Sequence, residues 1–186
     1  MKHYLLLALT IIFTGYSYAQ TEVAGAKIPN YENFGELRLQ LNGAGVRSKL
    51  WINMYVAALY LEDESQDARA IMAADEPMAV KLHIVSKLIT SSRMMDAVTD
   101  GFEKSLDGNT APVQERIDRI LDFFQEDITK DDVFDLVYRP GVGTTAYKNG
   151  EERGTIEGLD FKSALFGIWL SDNPASNDLK DDMLGK

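Results

Sequence analysis

The sequence predicts one α+β domain built on a mainly antiparallel sheet. Segments with strand periodicity and segments with helix periodicity are grouped along the chain rather than strictly alternating, which favours α+β over a parallel α/β arrangement. No internal repeat or linker divides the 186 residues. Hydrophobic residues make up 45% and charged residues 26%, a balance that allows a sizeable core and argues against a disordered or fibrous chain.

Residues 1–19 have the pattern of a secretory signal peptide. Lys2 gives a basic start, Leu5 to Phe13 is an uncharged apolar run, and the small residue Ala19 stands where a signal peptidase reads the chain. The apolar run is too short to span a bilayer comfortably. We therefore expect cleavage here, a mature domain of residues 20–186 without a transmembrane anchor, and a periplasmic or secreted location.

Net charge and cysteine content exclude several kinds of partner and chemistry. The chain carries a formal charge of −10, and loss of the signal segment with its Lys2 makes the mature domain more negative still. An acidic domain repels nucleic acid and anionic lipid headgroups at long range, and the sequence shows no basic cluster that would reverse this locally. We therefore expect no nucleic-acid partner. The absence of Cys excludes disulfides, thiol catalysis, Cys-based metal sites and lipidation.

Metal and nucleophilic chemistry are poorly supported as well. His83 is the one histidine of the mature domain, which leaves no His-based metal set and no obvious Ser-His pair. The acidic segment Asp127 to Asp132 is too short for a calcium loop and lacks its glycine. Gly141 to Gly143 leads into a hairpin rather than a helix, which is the wrong context for a phosphate-binding loop. The sequence predicts no metal and no cofactor.

Strand patterns dominate the first half of the mature chain. Val23 to Pro29 is a short strand candidate, and Glu36 to Leu41 alternates with its leucines on one face. Asn42 to Gly45 should break that strand, because two glycines allow a tight reversal. Arg47 to Glu62 is almost continuously apolar, which predicts a strand or bent hairpin buried on both faces. Ala79 to Ile89 predicts the next strand.

Helical spacing of apolar residues predicts several helices, and two further strand segments follow them. The predicted helices are Ser65 to Ala74, Thr90 to Leu106, one that opens at Pro112, and one that begins at Asp160. The predicted strands are Asp132 to Arg139 and a hairpin over 144–157 that turns at Asn149-Gly150. The polar tail over 172–186 should wrap the surface, with Leu179 and Met183 as weak anchors.

Arg47, Tyr55 and Tyr60 are the polar groups of interest inside the long apolar run. An Arg is costly beside apolar strands unless its guanidinium reaches water, a carboxylate or an anionic ligand. From spacing alone, Arg47 is either a solvated or ion-paired residue at a strand end or a ligand contact. Tyr55 and Tyr60 are more often core aromatics with a satisfied hydroxyl than ligand contacts.

Three segments carry a more specific signal: Asn42 to Arg47 (NGAGVR), Met54 to Glu62 (MYVAALYLE) and Tyr138 to Leu170 (YRPGVGTTAYKNGEERGTIEGLDFKSALFGIWL). Together they closely resemble the bacterial, exported branch of the chalcone isomerase-like superfamily. The resemblance covers nearly all of the mature chain. It implies the chalcone isomerase fold, a large antiparallel sheet with helices packed on one face and a ligand cleft between them.

The resemblance also implies roles for particular residues. Plant chalcone isomerases, which cyclise a chalcone to a flavanone, use an Arg after a Gly-Ala-Gly turn, a Thr in the following strand, and a Tyr and an Asn on a helix. Related fatty-acid-binding members keep the Arg and carry a Tyr in place of the Thr. Arg47 matches the family Arg, and Tyr55 falls on the Thr position. Ser91 to Leu106 contains no Tyr and no Asn; the nearest residues are Arg93 or Met94 and Asp100 or Gly101.

One leading hypothesis and two alternatives follow. The chain is an exported, non-catalytic binder of a small hydrophobic carboxylate such as a fatty acid, which the Arg47 fork and the Tyr55 hydroxyl hold. Alternatively, it is an intramolecular lyase or isomerase of a chalcone- or enone-like substrate, in which Arg47 stabilises a developing phenolate or enolate and Tyr55 donates or orients a proton. In a third interpretation it is a structural or interaction module of the envelope, with a cleft filled by its own side chains and Arg47 paired to an internal carboxylate.

Overall fold

The computed structural model describes residues 20–186, so the predicted signal peptide lies outside the described residues. A seven-stranded antiparallel sheet forms its centre, and the order of the strands in the sheet follows their order in the chain. The strands are β3 (Tyr31–Phe34), β4 (Leu37–Lys49), β5 (Ile52–Leu61), β6 (Met78–Ile84), β7 (Val133–Arg139), β8 (Gly143–Lys148) and β9 (Glu151–Ile156). A separate antiparallel ribbon consists of β1 (Gln20–Val23) and β2 (Ala26–Pro29).

Five α-helices contribute to the core on one face of this sheet. They are α1 (Ala68–Ala73), α2 (Ser91–Ser105), α3 (Gln114–Asp122), α4 (Leu159–Leu170) and α5 (Asn177–Met183), with a short 3-10 turn at Ala111–Val113 before α3. The predicted α+β class, with a large antiparallel sheet and helices packed on one face, is therefore confirmed.

Strand β5 is buried on both of its faces, as its continuous apolar character predicts. Ala57 and Leu59 face the helices and belong to the main core. Val56, Ala58 and Tyr60 face the other way, into a second core that the β1–β2 ribbon covers. The Tyr60 hydroxyl donates to the carbonyl oxygen of Pro29 at 3.0 Å. Tyr60 is thus a core aromatic with a satisfied hydroxyl.

The prediction that Asn42 to Gly45 breaks a strand is wrong. Strand β4 continues through this segment with a bulge between Leu41 and Gly43, and the chain reverses only at Leu50 and Trp51. Both of these turn residues have positive φ, 50° and 68° respectively, whereas Gly43 and Gly45 do not. Arg47 consequently lies near the end of β4 instead of opening the next strand.

The two glycines of β4 serve a different purpose, because they make room for helix α5. A Cβ on Gly43 would lie 2.7 Å from the carbonyl oxygen of Met183, and a Cβ on Gly45 would lie 2.8 Å from Cγ of Asp182. Gly43 lets the backbone of α5 approach the strand this closely, and Gly45 leaves space for the side chain of Asp182. The local sequence does not distinguish a glycine that makes room for a helix from a later part of the chain from a glycine that forms a turn.

Three other predicted elements need correction. The segment Val23 to Pro29 is not one strand. It turns at Ala24-Gly25, where both residues have positive φ, and continues as the strand β2. The strand expected over Ala79 to Ile89 ends at Ile84, after which Val85 donates its N–H to Met54 and a loop begins. The tail is not merely wrapped on the surface: it forms α5, whose Leu179 and Met183 are fully buried.

Replacing Gly43 by Ala tests the contact between β4 and α5. The added methyl group meets rigid backbone atoms, so we expect Gly43→Ala to lower the free energy of unfolding by about 1–3 kcal/mol. Urea unfolding followed by circular dichroism measures this change. Lys49→Gln, an exposed change at the end of the same strand, is the control and should stay within about 0.5 kcal/mol. Equal stability of Gly43→Ala and the parent protein would contradict the assigned role.

Candidate functional site

A cavity of about 620 Å³ lies between the sheet and the helices α2 and α4. This volume is in the range of sites that hold small organic ligands. The buried part of its wall is apolar and consists of residues such as Leu82, Met94, Val98, Phe124, Leu136, Leu165 and Ile168. The wall becomes polar and exposed towards the β4–β5 hairpin and the first turn of α2, where Lys49 and Arg93 line it.

Arg47 and Tyr55 are direct cross-strand partners and line this cavity together. In the same register Gly45 pairs with Ala57, which faces the helices. Because side chains alternate along a strand, Arg47 lies on the same face as Gly45 and follows it towards the hairpin. The residues of β4 that face the helices are therefore glycines beneath α5, and the next one towards the hairpin is Arg47 at the cavity.

The Tyr55 hydroxyl is positioned by the indole of Trp169. The Trp169 Nε1–H donates to the Tyr55 oxygen at 3.2 Å. Burial raises the pKa of Tyr55, while the Trp169 hydrogen bond and the charge of Arg47 act in the opposite direction. The phenol therefore keeps its proton at neutral pH. Within residues 20–186 the hydroxyl donates to no protein acceptor, so its proton is available to a ligand.

Arg47 keeps most of its hydrogen-bonding capacity. One of its terminal nitrogens, Nη1, donates to the carbonyl oxygen of Ser48 at 2.7 Å. No carboxylate of the described chain lies within 4.0 Å of the guanidinium. The side chain is half-buried, a position that holds a charge near an apolar cavity without removing it from water altogether. Its remaining N–H groups can grip an anion in two parallel bonds.

The α2 residues nearest to the positions of the helical Tyr and Asn of plant chalcone isomerases also line the cavity. They are Arg93, Met94, Asp100 and Gly101. A Cβ on Gly101 would lie 2.8 Å from Ile168 Cγ2, so this glycine lets α2 and α4 pack closely. The α2 wall thus offers the cations Arg93 and Lys104 and the exposed carboxylates Asp96 and Asp100, but no phenol and no amide.

Several site residues were not singled out from the sequence. Trp169 has the spacing of an ordinary core residue, and only the fold brings its indole to Tyr55. Cations from separate elements also meet at the cavity. Arg47 and Lys49 from β4 and Arg93 from α2 line it together with the carboxylates Asp96 and Asp100, and Lys87 lies in the loop next to the lining residue Leu88. Residues on three separate elements leave no run that a sequence could show.

Lys162 is the most deeply buried charged residue of the described range 20–186. Its Nζ donates to the carbonyl oxygens of Ile71, Met72 and Ala74, at 3.1 Å for Met72 and 2.8 Å for Ala74. These are unpaired carbonyls at the end of α1, so Lys162 caps that helix and fastens α4 to it. Burial lowers the pKa of Lys162 to about 8, an effect that the charges of Asp75 and Glu76 partly offset.

The remaining features give no second site. Within the range 20–186 no three His, Asp or Glu side chains lie close enough together to hold a metal ion. His83 lies on β6 away from the cavity lining. A smaller cavity of about 220 Å³ lies near α1, and the exposed Arg69–Asp172 ion pair belongs to its lining. None of the helices described is long and apolar enough to cross a membrane.

Comparison with known proteins identifies the family. Residues 20–185 match the family described as chalcone isomerase-like, and the chain therefore belongs to the chalcone isomerase-like family. The crystal structure of a fatty-acid binding protein from Arabidopsis thaliana superposes with a TM-score of 0.70 at 16% sequence identity, covering 89% of this chain and 96% of that chain. At this identity the match shows a shared fold. A comparison with curated proteins found no match.

The lowered pKa of Lys162 predicts a pH dependence of stability. Between its folded pKa of about 8 and the ordinary lysine value of 10.5, the unfolded chain binds more protons than the folded one. Stability contributed by Lys162 therefore rises with pH across this window. We expect the free energy of unfolding of the parent protein, minus that of Lys162→Met, to increase from pH 8 to pH 10.5 in urea titrations.

Lys27→Met, which removes an exposed lysine of β2, is the matched control. Its difference from the parent protein should stay flat over the same pH range. A flat difference for Lys162→Met as well would contradict the penalty that we assign to the buried ammonium.

Proposed function

We propose that this chalcone isomerase-like protein is an exported, non-catalytic binder of a hydrophobic carboxylic acid such as a fatty acid. The observation that carries the proposal is the pairing of Arg47 with Tyr55 at the polar part of a cavity whose buried wall is apolar. The carboxylate accepts hydrogen bonds from the Arg47 guanidinium and from the Tyr55 hydroxyl. The tail lies along the apolar wall, where its burial supplies most of the binding free energy.

Two further observations support this function. The Trp169 indole donates to Tyr55, so the phenol oxygen already accepts a hydrogen bond and its proton is free for a ligand acceptor. The similar Arabidopsis thaliana structure is that of a fatty-acid binding protein. Export remains part of the proposal and rests on the signal-peptide pattern of residues 1–19.

The third interpretation, an envelope module without a ligand, requires a filled cleft and an Arg47 paired to an internal carboxylate. The described residues show instead an open cavity of about 620 Å³ beside Tyr55. Arg47 has no carboxylate partner there. These geometries favour a ligand-binding role.

Titration of the delipidated protein with palmitate by calorimetry tests the carboxylate contacts. Arg47→Met removes a charge-assisted hydrogen bond of about 1.5–3 kcal/mol, so the Kd should rise about 10- to 100-fold. Tyr55→Phe removes one hydroxyl donor and should raise the Kd about fivefold. Arg38→Met, at an exposed position near the other end of β4, is the matched control and should leave the Kd unchanged.

The same titration with hexadecanol separates charge recognition from tail recognition. The alcohol has no carboxylate, so Arg47→Met should change its Kd little, while both proteins still hold the tail. A parent protein that binds neither compound, or an Arg47→Met variant that binds palmitate as tightly as the parent, would contradict the proposal.

A second candidate function, isomerisation of a chalcone- or enone-like substrate, has one observation in its favour. The cationic Arg47 and the protonated Tyr55 are two donors aimed at one cavity, and such a pair could stabilise an enolate or phenolate. Incubation with a hydroxychalcone, followed by loss of its absorbance, distinguishes the two functions. Under our proposal the rate equals the uncatalysed rate. An acceleration that Arg47→Met abolishes would instead establish the enzyme.

A further inference from the structure

Large apolar side chains are exposed at the tip of the β4–β5 hairpin, beside the mouth of the cavity. Trp51 is fully exposed, Leu50 is 82% exposed, and Ile52 and Leu88 are about half-exposed. We call these four residues the hairpin patch. Leu50, Ile52 and Leu88 line the same cavity as Arg47. Three of its four residues therefore lie at the exposed part of the cavity wall, where a ligand would enter.

We propose that the hairpin patch docks the protein on the surface of an anionic lipid bilayer, with the cavity mouth turned towards the membrane. An amphipathic acid then passes between bilayer and cavity without crossing bulk water. The transfer step rests on the proposed function, whereas docking itself does not.

The backbone of the hairpin is the first argument for docking. Leu50 and Trp51 form a two-residue turn in which both φ values are positive, 50° and 68°. This conformation suits Asn and Gly and is costly for large side chains. The turn between β8 and β9 does follow this preference, because it is Asn149-Gly150, with φ of 53° and 82°.

The exposure of Trp51 is the second argument. A fully exposed indole gains no burial from the described part of the protein, so its own packing does nothing to offset the backbone cost of the turn. An external apolar medium would supply that burial. Trp is well suited to this role, since its ring settles at the boundary between the apolar layer and the headgroups of a bilayer.

The charge around the patch indicates which external surface it meets. Arg47, Lys49, Lys87 and Arg93 lie on the elements that border it, and none of them is within 4.0 Å of a carboxylate in the described chain. Asp96 and Asp100 line the cavity about one and two turns further along α2. A basic rim around an apolar tip, on a domain that is acidic as a whole, complements anionic headgroups.

The same charges argue against a second copy of the chain as the occupant. Two hairpin patches in contact would bring two basic rims together, and like charges at an interface repel. An anionic bilayer offers apolar depth for Trp51 and Leu50 together with negative headgroups for the cations. It is the surface that satisfies both properties of the patch.

Flotation of the full mature chain with unilamellar vesicles tests the inference. We expect the protein to float with vesicles of phosphatidylcholine and phosphatidylglycerol and to remain behind with phosphatidylcholine alone. Trp51→Gly should lower the partition coefficient at least about tenfold, because one large apolar side chain is lost. Lys87→Gln should lower it about fivefold. Val142→Ser removes an exposed apolar side chain at the opposite end of the sheet and should have no effect.

Loss of folding cannot explain the expected result for Trp51→Gly. Glycine at a positive φ relieves the turn, so the Tm of this variant should rise by about 2–4 °C while vesicle binding falls. Tryptophan emission gives an independent measure, because Trp51 is exposed and Trp169 is buried. Vesicles should shift the emission of the parent protein to shorter wavelength and leave that of Trp51→Gly unchanged.

Palmitate titration of the parent protein and of Trp51→Gly in solution keeps the two proposals separable. A parent protein that binds vesicles but not palmitate would overturn the proposed function and leave docking intact. Palmitate binding by a parent protein that stays in the aqueous layer would overturn docking alone. Equal flotation of Trp51→Gly and the parent would also overturn it, as would a parent dimer that Trp51→Gly dissociates in the absence of lipid binding.

Discussion

The inner part of strand β5, residues 56–61, buries both of its faces, so every side chain there belongs to one of two cores. Ala57 and Leu59 belong to the helix side, and Val56, Ala58 and Tyr60 to the ribbon side. A shift of one residue would exchange the two sets, and this fixes the register firmly. Because Tyr55 continues the helix-side row and pairs with Arg47, the position of the site depends on the packing of this one strand.

The hairpin that contains β5 combines stability with exposure. Its inner part is closed by α5, which reaches the backbone of β4 only because Gly43 and Gly45 have no side chains. Its outer part carries Arg47 at the cavity and ends in a turn with exposed Leu50 and Trp51. Because its inner part is buried on both faces, the hairpin holds the apolar side chains of its turn in solvent.

Much of the fold follows from periodicity in the sequence, because β5, α2 and α3 have patterns that suit only one kind of burial. Arg47 and Tyr55 could be named before the structure only through the family resemblance, since spacing alone left them as ordinary strand residues. Gly43 and Gly45 were misassigned because their reason lies in α5, far along the chain. The turn at Leu50 and Trp51 defies local preference, so no turn rule could have placed it.

Side-chain hydrogen bonds attach helix α4 to its neighbours at two points, one on each side of the middle of the helix. Lys162 binds it to the end of α1, and Trp169 binds it to Tyr55. These residues are separated by about two helical turns, so α4 can neither roll nor slide without breaking one of the attachments. The opposite wall includes the flexible side chain of Met94 on α2. The cleft therefore combines a fixed wall on α4 with an adaptable side chain on α2. Under the proposed function, Met94 would accommodate acids with tails of different shape while their carboxylates keep the same position.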